Sequence, residues 1–416
     1  MKKFTTSAIL CTALVLSACS RGGLSPDDLN TPFGFATCTN LHGGRYELTG
    51  GFKNASKGVK GTKVVLLSDG RDSKGRIEEA LAQYDIVVLD GSAGPFIYSE
   101  TSILTGLTNK TIVGINGAVL QSRFQCTPQI KEVIAHAGER FDGKVTPEAP
   151  DRWLLSNGEY MRNFPSFAVS QALIDYTGDA SMSWLRSGFF SFGEGCSNIS
   201  IRNIFFDGPG SIRGLPNFMI RFIHGANHAW IDHCTFEDFA RVGVGAVKRA
   251  DCITVSWCEF RVTEQSNGHT LGNLISSGDD NWFDEDCLNI TFDHCKWTNV
   301  WSRVPMARFG TIHVNNCLYN CPGTVGINPR QNSEFLVEGC WFEADTRPLC
   351  RYRIDEFPPK AYVFRDNVYD PKFTDVDCKG EVSVPYDYRT STPERARDEV
   401  SAHVGPTLEK PLKIGR

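Results

Sequence analysis

Short β-rich runs of apolar residues recur along the chain, and each run ends at a polar corner that is followed by a cysteine and an aromatic residue. The pattern occurs in WIDHCTF, VSWCEF, FDHCKW, VNNCLY and VEGCWF. These segments place five cysteines in one column: Cys234, Cys258, Cys295, Cys317 and Cys340. The steps between them are 24, 37, 22 and 23 residues. A period near 23 with little helix predicts an all-β parallel β-helix, in which each coil packs on the next. A leucine-rich repeat is the alternative, but the regular leucine pattern is missing.

The column of cysteines is interpreted as part of the core. Asn203 in IRNIFF and Asn367 in FRDNVY continue it at its two ends. Cysteine is a small, frequently buried residue, and a straight column does not give the tetrahedral geometry of a metal site. Parallel side chains also disfavour disulfides within the column, so we expect mostly free thiols there. Better disulfide candidates, whose pairing the sequence leaves open, are Cys340 with Cys350, or Cys38, Cys126 and Cys378 among themselves.

The ends of the repeat differ from its coils. Residues 73–91 begin with a helical pattern, and a helix here would cap the open end of the stack. The residues on its apolar face are Ile77, Ala80, Leu81 and Tyr84. Residues 121–190 lack the period and are interpreted as a long insertion. After Asp370 the repeat stops, and we expect a loop and a polar helix that pack back along the side.

The first residues are typical of an export signal. MKKFTTSAILCTALVLSACS has two lysines, an apolar run too short to span a membrane comfortably, and small residues before a cysteine. Its LSAC segment resembles a bacterial lipobox, which would make Cys19 a lipidated membrane anchor; a plain secretory signal is the alternative. We therefore expect a signal peptide at 1–19, a tether and N-terminal segment at 20–72, and one β-helix domain at 73–416. The location would be the cell envelope, or the exterior if the chain is secreted.

Composition narrows the class of partner. The chain has 43 Lys and Arg against 48 Asp and Glu, and no long basic stripe, so nucleic acid is not an expected partner. With 41% hydrophobic residues, 416 residues are enough for a large core. We expect the protein to act as a monomer.

The stretch WSRVPMARFG, residues 301–310, carries two arginines around a proline and no acid, histidine or cysteine. With WIDHCTF, ITVSWCEF and LNITFDHCKW before it, in this order and spacing, it resembles the family-one polysaccharide lyases, the pectate and pectin lyases. NKTIVGING and the PYDY…AHVG tail extend the resemblance over about residues 73–400. The family implies a right-handed parallel β-helix that cleaves pectic polysaccharide, an α-1,4-linked galacturonan, by β-elimination. The products would be 4,5-unsaturated oligogalacturonides.

The resemblance also implies roles for single residues. Arg303 matches the family's proposed Brønsted base, and Arg308 its substrate-carboxylate arginine, for which a planar fork suits two hydrogen bonds. An arginine base requires a lowered pKa, and nearby Arg308 and Arg241 could supply the necessary positive charge. Positions 303 and 308 would face opposite ways in a regular strand. We therefore expect Pro305 to break the register, with Arg303 on the preceding loop.

The chain lacks the acidic calcium ligands of the pectate lyases. The corresponding positions are near Pro216, Phe218, Arg241 and Gly245. No carboxylate stands there, so no metal site and no cofactor are predicted, and Arg241 is expected to bind substrate where calcium would have acted. ARVG and SNGHT are similar to stretches of the pectin-lyase branch, whose neutral methyl ester makes calcium dispensable.

Other polar residues near the motifs have weaker interpretations. His269 lies closest to a missing family lysine and is a candidate for substrate binding. His233, His313 and Asp232 are interpreted as coil-packing or turn residues. The acidic segment SGDDNWFDEDC, residues 277–287, is expected to be a solvated loop. The nearby Trp282, Phe283, Trp297 and Trp301 could line a cleft or the core.

Two rival functions stay open. A non-catalytic β-helix on the cell surface could bind uronate polymers, although a binding protein has no need of the arginine base. A hydrolase on the same scaffold would require a set of carboxylates that the chain does not show.

Overall fold

Three parallel sheets form the body of the protein. The computed structural model describes residues 28–52, 62–135, 145–149, 152–155, 160–162, 172–178, 187–210, 217–266 and 270–412. Within these ranges the chain passes repeatedly from a seven-stranded to a ten-stranded to an eight-stranded sheet. Each strand pairs in parallel with the strand one coil away, for example Phe218 with Val242. The expected parallel β-helix is confirmed.

Within each of the three sheets the strands stack in chain order. The ten-stranded sheet contains β3 (Lys63–Leu67), β4 (Ile86–Asp90), β7 (Thr108–Ile115), β13 (Ser197–Arg202), β16 (Asn227–Asp232), β19 (Asp251–Ser256), β22 (Ile290–Asp293), β25 (Thr311–Asn315), β28 (Glu334–Glu338) and β30 (Ala361–Arg365). The eight-stranded sheet contains β5 (Phe96–Tyr98), β8 (Val119–Ser122), β14 (Phe205–Asp207), β17 (Thr235–Glu237), β20 (Glu259–Arg261), β23 (Lys296–Thr298), β26 (Leu318–Asn320) and β29 (Trp341–Phe342). The seven-stranded sheet contains β6 (Ser102–Leu104), β12 (Phe190–Phe192), β15 (Phe218–Phe222), β18 (Val242–Ala246), β21 (Leu271–Ile275), β24 (Met306–Arg308) and β27 (Asn328–Arg330).

The remaining elements lie outside the three sheets. Two small antiparallel sheets contain β1 (Cys38–Asn40) and β2 (Gly43–Arg45), and β9 (Val145–Ala149), β10 (Arg152–Leu155) and β11 (Tyr160–Arg162). The α-helices with assigned bounds are α1 (Lys74–Gln83), α2 (Pro128–Ala135) and α3 (Pro393–His403). Much of the expected insertion at 121–190 lies outside the described residues.

The corner between the ten-stranded and eight-stranded sheets explains the cysteine motif. The residue before each column cysteine has a positive φ, from 48° at His294 to 62° at Gly339, which turns the chain sharply. The cysteine that follows points inward, and all five column cysteines are fully buried and free. The register pairs Phe205 with Thr235, so Asn203 aligns with the corner residue His233. The prediction that Asn203 lies in the cysteine column was therefore wrong by one position.

Two residues after each column cysteine, an aromatic ring lies on the ring of the next coil. The stacked rings have centroids 4.4 to 5.6 Å apart and planes within 16° of parallel. They are Phe236, Phe260, Trp297, Tyr319 and Phe342, and Phe206 of the preceding coil begins the stack. Offset stacking of large buried rings adds to the hydrophobic stabilisation of the coil interface. Trp297 is therefore a core residue.

The chain ends pack against the ten-stranded sheet. Gly34 has φ 71°, and a Cβ there would lie 2.6 Å from Thr291 Oγ1, so only glycine fits this approach. Arg202 and Asp232 form a fully buried ion pair at 2.9 Å, and Arg202 also donates to Asn30 Oδ1 and the Pro411 carbonyl. Residues 28–52, which the sequence assigned to the N-terminal segment, are thus part of the packed body. The domain limits themselves stay a prediction.

The two terminal helices lie where the sequence placed them. The buried side chains of α1 are Ile77, Ala80 and Leu81, and they belong to the main core at the first coils. Helix α3 contacts β26 and β29, and its Glu399 and His403 reach His294 and Trp257 farther back along the side of the stack. Both the capping helix and the returning polar helix are confirmed.

Candidate active site

Arg303 lies on a loop directly before β24. Its φ is 59° and its carbonyl oxygen accepts a hydrogen bond from the Asn273 amide at 2.7 Å. The Val304–Pro305 peptide bond is cis, and the strand begins only at Met306. The expectation that Arg303 precedes the strand whereas Arg308 belongs to it is confirmed. The loop leaves the Arg303 side chain half-buried.

The structure brings Arg303 within electrostatic range of three further arginines. Burial first, and then the positive charges of Arg241, Arg308 and Arg330, lower the pKa of Arg303 from 12.5 to about 9. Low dielectric and nearby like charge both disfavour the protonated form. No carboxylate in the described ranges forms an ion pair with Arg303. Arg303 can therefore lose its proton at a lower pH than a guanidinium in water.

Asp279 lies between Arg308 and Arg330. Arg308 Nε donates to one carboxylate oxygen and Arg330 Nη2 to the other, each at 2.6 Å. Arg308 also donates through Nη1 to the Ser276 carbonyl at 3.2 Å. Two of the nitrogens of Arg308 are thus already occupied within the protein. A carboxylate that uses Arg308 must bind through the remaining N–H groups, two on Nη2 and one on Nη1, or displace Asp279.

Arg330 and Asp279 are site residues that the sequence reasoning missed. Arg308 and Arg330 are direct neighbours in the register of β24 and β27. Their separation of 22 residues equals the step from Cys295 to Cys317, so the repeat could have predicted that Arg330 lies beside Arg308. Asp279 comes from an insertion outside the repeat, and its place could not be read from any period.

Arg241 immediately precedes β18. Its Nε is buried and has no hydrogen-bond partner within the described part of the chain, and burial lowers the pKa of its guanidinium. A buried donor without a partner costs free energy. Arg241 therefore offers an unused hydrogen bond next to Arg303.

Three of the four positions that correspond to the family's calcium ligands are described by the structure, and these three do not fit a cation. Phe218, Arg241 and Gly245 supply no carboxylate, and Pro216 lies outside the described residues. The space beside Gly245 is filled by the Phe218 ring, since a Cβ at Gly245 would lie 2.3 Å from Phe218 Cε1. In the described ranges no group of three His, Cys, Asp or Glu side chains could hold a metal ion.

The acidic loop is only partly solvated. Asp284 is fully buried and accepts hydrogen bonds from the Arg249 amide at 2.7 Å and from Ser276 Oγ at 2.8 Å. Asp279 binds the two arginines. The prediction of a solvated loop was wrong for these two residues, and it holds for the exposed Asp280, Glu285 and Asp286.

The predicted packing residues lie in the coil stack. Asp232 and His233 are fully buried, and His313 contacts Glu338 at 3.1 Å. The candidate His269 lies outside the described residues. Around the site Trp282, Phe283 and Trp301 are about half exposed, at 54%, 50% and 46%.

A groove of about 1000 Å³ lies at the N-terminal end of the seven-stranded sheet. Its lining includes Lys74, Asn217, Phe218 and Arg221. Phe218 also packs against a small apolar cluster on this sheet that includes Val242 and Met306. The groove and β24, the strand that contains Arg308, therefore lie on the same seven-stranded sheet.

Thiols and apolar helices add two further findings. All thirteen cysteines in the described ranges are free, including the four disulfide candidates other than Cys340: Cys38, Cys126, Cys350 and Cys378. No helix in those ranges is long and apolar enough to cross a membrane. Cys19 and the signal segment lie outside them.

Comparison with known proteins gives one consistent family. The sequence model of the pectate lyase family matches residues 188–406. A probable pectate lyase A of Aspergillus flavus is 31% identical over 191 residues, which are 44% of this chain and 56% of that protein. A pectate trisaccharide-lyase of Thermotoga maritima is 32% identical over 137 residues, covering 32% of this chain and 36% of that protein. The chain thus spans about half the length of the first of these relatives, and less of the second.

Solved structures show the same fold. A pectate lyase of a Bacillus species, in complex with trigalacturonate, superposes with a TM-score of 0.55 at 16% identity, covering 90% of this chain and 98% of that one. Pectate lyase C of Erwinia chrysanthemi, solved with calcium, gives a TM-score of 0.53 at 16% identity, covering 90% and 96%.

Proposed function

The chain belongs to the pectate lyase family, and from this premise we propose that it cleaves α-1,4-linked galacturonan by β-elimination with Arg303 as the base. The observation that carries the proposal is the environment of Arg303. Its guanidinium is half-buried, has three arginines near it, and has its pKa lowered to about 9. A structural arginine gains nothing from such surroundings, whereas a catalytic base needs a pKa near the working pH.

The reaction would begin with removal of the C5 proton by the neutral guanidine of Arg303. This proton is α to the C6 carboxylate or ester, so the electron pair of the C–H bond moves toward C6 as an enolate forms. The enolate then expels the O4 sugar and leaves a 4,5-double bond. The proton resides on Arg303, and the departing sugar oxygen requires a proton from solvent or a neighbouring group.

The other arginines would act on the charge that develops at C6. Arg241 has a buried Nε without a described partner, and a donor aimed at an enolate oxygen binds the transition state more strongly than a neutral ester. Arg308 would orient the uronate with the N–H groups that Asp279 and Ser276 leave free. His269 is proposed as a further substrate contact from its place in the sequence alone.

We propose that no calcium ion acts at the position that the family implies. Phe218 fills the space beside Gly245, and the guanidinium of Arg241 would repel a cation there. The positive charge near the substrate would come from Arg241 itself. Activity that is insensitive to EDTA is the expected result.

The test is the ultraviolet absorbance of the unsaturated product, followed on polygalacturonate and on highly methylated pectin with EDTA or with added calcium. We expect product formation by the wild type, and its loss in Arg303→Lys, because lysine keeps the charge but not the guanidine. Arg347→Lys, at a surface ion pair with Asp375, is the matched control and should stay active.

Two outcomes would contradict the proposal. Substantial product formation by Arg303→Lys would remove Arg303 as the base. Polymer binding without product on either substrate would favour the uronate-binding protein instead.

We further propose that the protein is held at the cell envelope by a lipid on Cys19, and that it works as a monomer. The sequence of the signal segment supports the anchor. Metabolic labelling with a radioactive fatty acid should mark the wild type and not Cys19→Ser. Labelling of both, or of neither, would contradict the anchor.

A further inference from the structure

The carboxylate of Asp279 lies between Arg308 and Arg330, where a substrate carboxylate would be expected to bind. Its two oxygens each accept a hydrogen bond at 2.6 Å, one from Arg308 and one from Arg330. The side chains of Arg308, Arg330 and Asp279 are only 9%, 5% and 14% exposed. Charge-assisted hydrogen bonds that are this short and this shielded from water are strong. The arginine pair therefore carries its own counter-ion.

The loop that presents Asp279 is fixed on both sides. Before it, the Ser276 carbonyl accepts a hydrogen bond from Arg308. After it, the buried Asp284 accepts hydrogen bonds from the Arg249 amide and from Ser276 Oγ. Displacement of Asp279 by a substrate carboxylate would break its hydrogen bonds to the two arginines and disturb a loop that is held by further hydrogen bonds on both sides. We therefore treat Asp279 as a permanent part of the site.

We propose that Asp279 makes the subsite beside Arg303 select methyl-esterified over unesterified uronate; this inference rests on the proposed function. A substrate carboxylate near Arg308 would meet the negative charge of Asp279 in a partly buried site, where charges are poorly screened. A methyl ester is neutral and meets no such repulsion. Its carbonyl oxygen can still accept a hydrogen bond from Arg241 or from a free N–H group of Arg308.

The same arrangement agrees with the chemistry of the ester. A neutral ester gains negative charge only as its C5 proton leaves, so Arg241, whose buried Nε has no hydrogen-bond partner in the described ranges, attracts the transition state more than the ground state. An unesterified substrate is already negative before the reaction and would be bound more evenly in both states. Asp279 would thus disfavour a substrate that is negative before the reaction, whereas Arg241 would stabilise the negative charge that forms during it.

The test compares the wild type with Asp279→Asn on polygalacturonate and on highly methylated pectin. Asparagine has nearly the same size and can still accept from Arg308, but it removes the negative charge. We expect the wild type to prefer methylated pectin by kcat/KM. In Asp279→Asn the ratio of kcat/KM on polygalacturonate to that on pectin should rise about tenfold or more, as expected when one nearby like charge is removed.

Asp280→Asn is the matched control, because Asp280 is the exposed neighbour in the same loop and the change in net charge is identical. Its ratio should stay within about twofold of the wild type, since an exposed charge is screened. If the ratio shifted equally in both variants, the effect would come from the net charge of the protein rather than from the position of Asp279, and the inference would be overturned. An unchanged ratio in folded Asp279→Asn would overturn it as well.

One additional measurement separates this inference from the proposed function. Retardation of both proteins in gels that contain either polymer reports binding without turnover, and Asp279→Asn should be retarded more by polygalacturonate than the wild type. If no product forms but retardation shifts in this way, the lyase function fails and the role of Asp279 stands. If Asp279→Asn does not fold, a wild-type preference for polygalacturonate would still refute the inference.

Discussion

Loss of the Arg241 charge should move the pH dependence of the reaction. In Arg241→Gln the positive charge that most strongly affects Arg303 is removed, so the pKa of Arg303 should rise. The pKa of Arg303 falls from 12.5 to about 9 through burial and three arginines, with burial the largest cause and Arg241 the next. Arg241 can thus account for at most half of the fall, and we take its share as about one pKa unit.

The magnitude follows from the fraction of neutral Arg303. With a pKa of about 9, roughly one tenth of Arg303 is neutral at pH 8. With a pKa of about 10 in the variant the neutral fraction at pH 8 is roughly one hundredth, so kcat/KM at pH 8, expressed as a fraction of each protein's own plateau, should be about tenfold lower in the variant than in the wild type. The activity of both proteins should rise with pH, because the base acts in its neutral form, but the rise should come later in the variant.

The assay is kcat/KM from pH 6 to pH 10.5 on the preferred polymer, with blanks without enzyme because esterified pectin eliminates spontaneously in alkali. The position of the rise, rather than its height, is the readout, since Arg241 would also contact substrate. Arg347→Gln removes an arginine charge that is not among the causes of the lowered pKa of Arg303 and should leave the position unchanged. If kcat/KM of Arg241→Gln rises at the same pH as that of the wild type, either Arg303 is not the titrating base or Arg241 does not affect its pKa.

Three further predictions concern stability and thiols. Burial would lower the pKa of His294, but Asp293 and Glu399 together raise it to about 9; the resulting stability is complete below about pH 6.5 and lost as the pH rises through 9. Glu399→Gln should therefore lower the free energy of unfolding by about 1–2 kcal/mol at pH 6.5 and by much less at pH 9.5, and an equal loss at both pH values in urea titrations would contradict the pairing. Gly245→Ala should destabilise by about 1–3 kcal/mol because its Cβ meets the Phe218 ring, and adding Phe218→Leu should restore part of the loss of Tm; no rescue would argue against this contact. A thiol reagent should react rapidly only with the exposed Cys378 among the cysteines of the described ranges, and in denaturant with all thirteen; fewer than thirteen would indicate disulfides.

The repeat could be predicted from the sequence because the physical demand on each coil is the same. A tight corner needs a residue that tolerates positive φ, followed by a small inward residue and then a ring that stacks on its neighbour. Asn203 was placed one position too far along because asparagine suits the corner as well as the column. The structure decides by register, which aligns Asn203 with His233 through the pairing of Phe205 with Thr235.

The site could be predicted only where it follows the repeat or the resemblance. Arg241, Arg303 and Arg308 were found by their motifs, and Arg330 could have been found by its step of 22 residues from Arg308. Asp279 could not, because an insertion has no register and its contacts depend on how the loop closes. Its acidic neighbours are mostly exposed, so composition pointed to a solvated loop.

The position of Asp279 also explains why the proton would leave Arg303 rather than Arg308 or Arg330. Residues of adjacent coils in register lie about 4.8 Å apart, so the pair Arg308 and Arg330 would repel strongly without a counter-ion. Asp279 supplies one to this pair, bonding to both, and no described carboxylate pairs with Arg303. Where neighbouring groups of one type have unequal surroundings, their pKa values separate and their roles in acid–base chemistry with them. The carboxylate of Asp279 would thus keep a substrate carboxylate away from Arg308 and Arg330. Because Arg303 has no such counter-ion among the described residues, the positive charges around it continue to disfavour its protonated form.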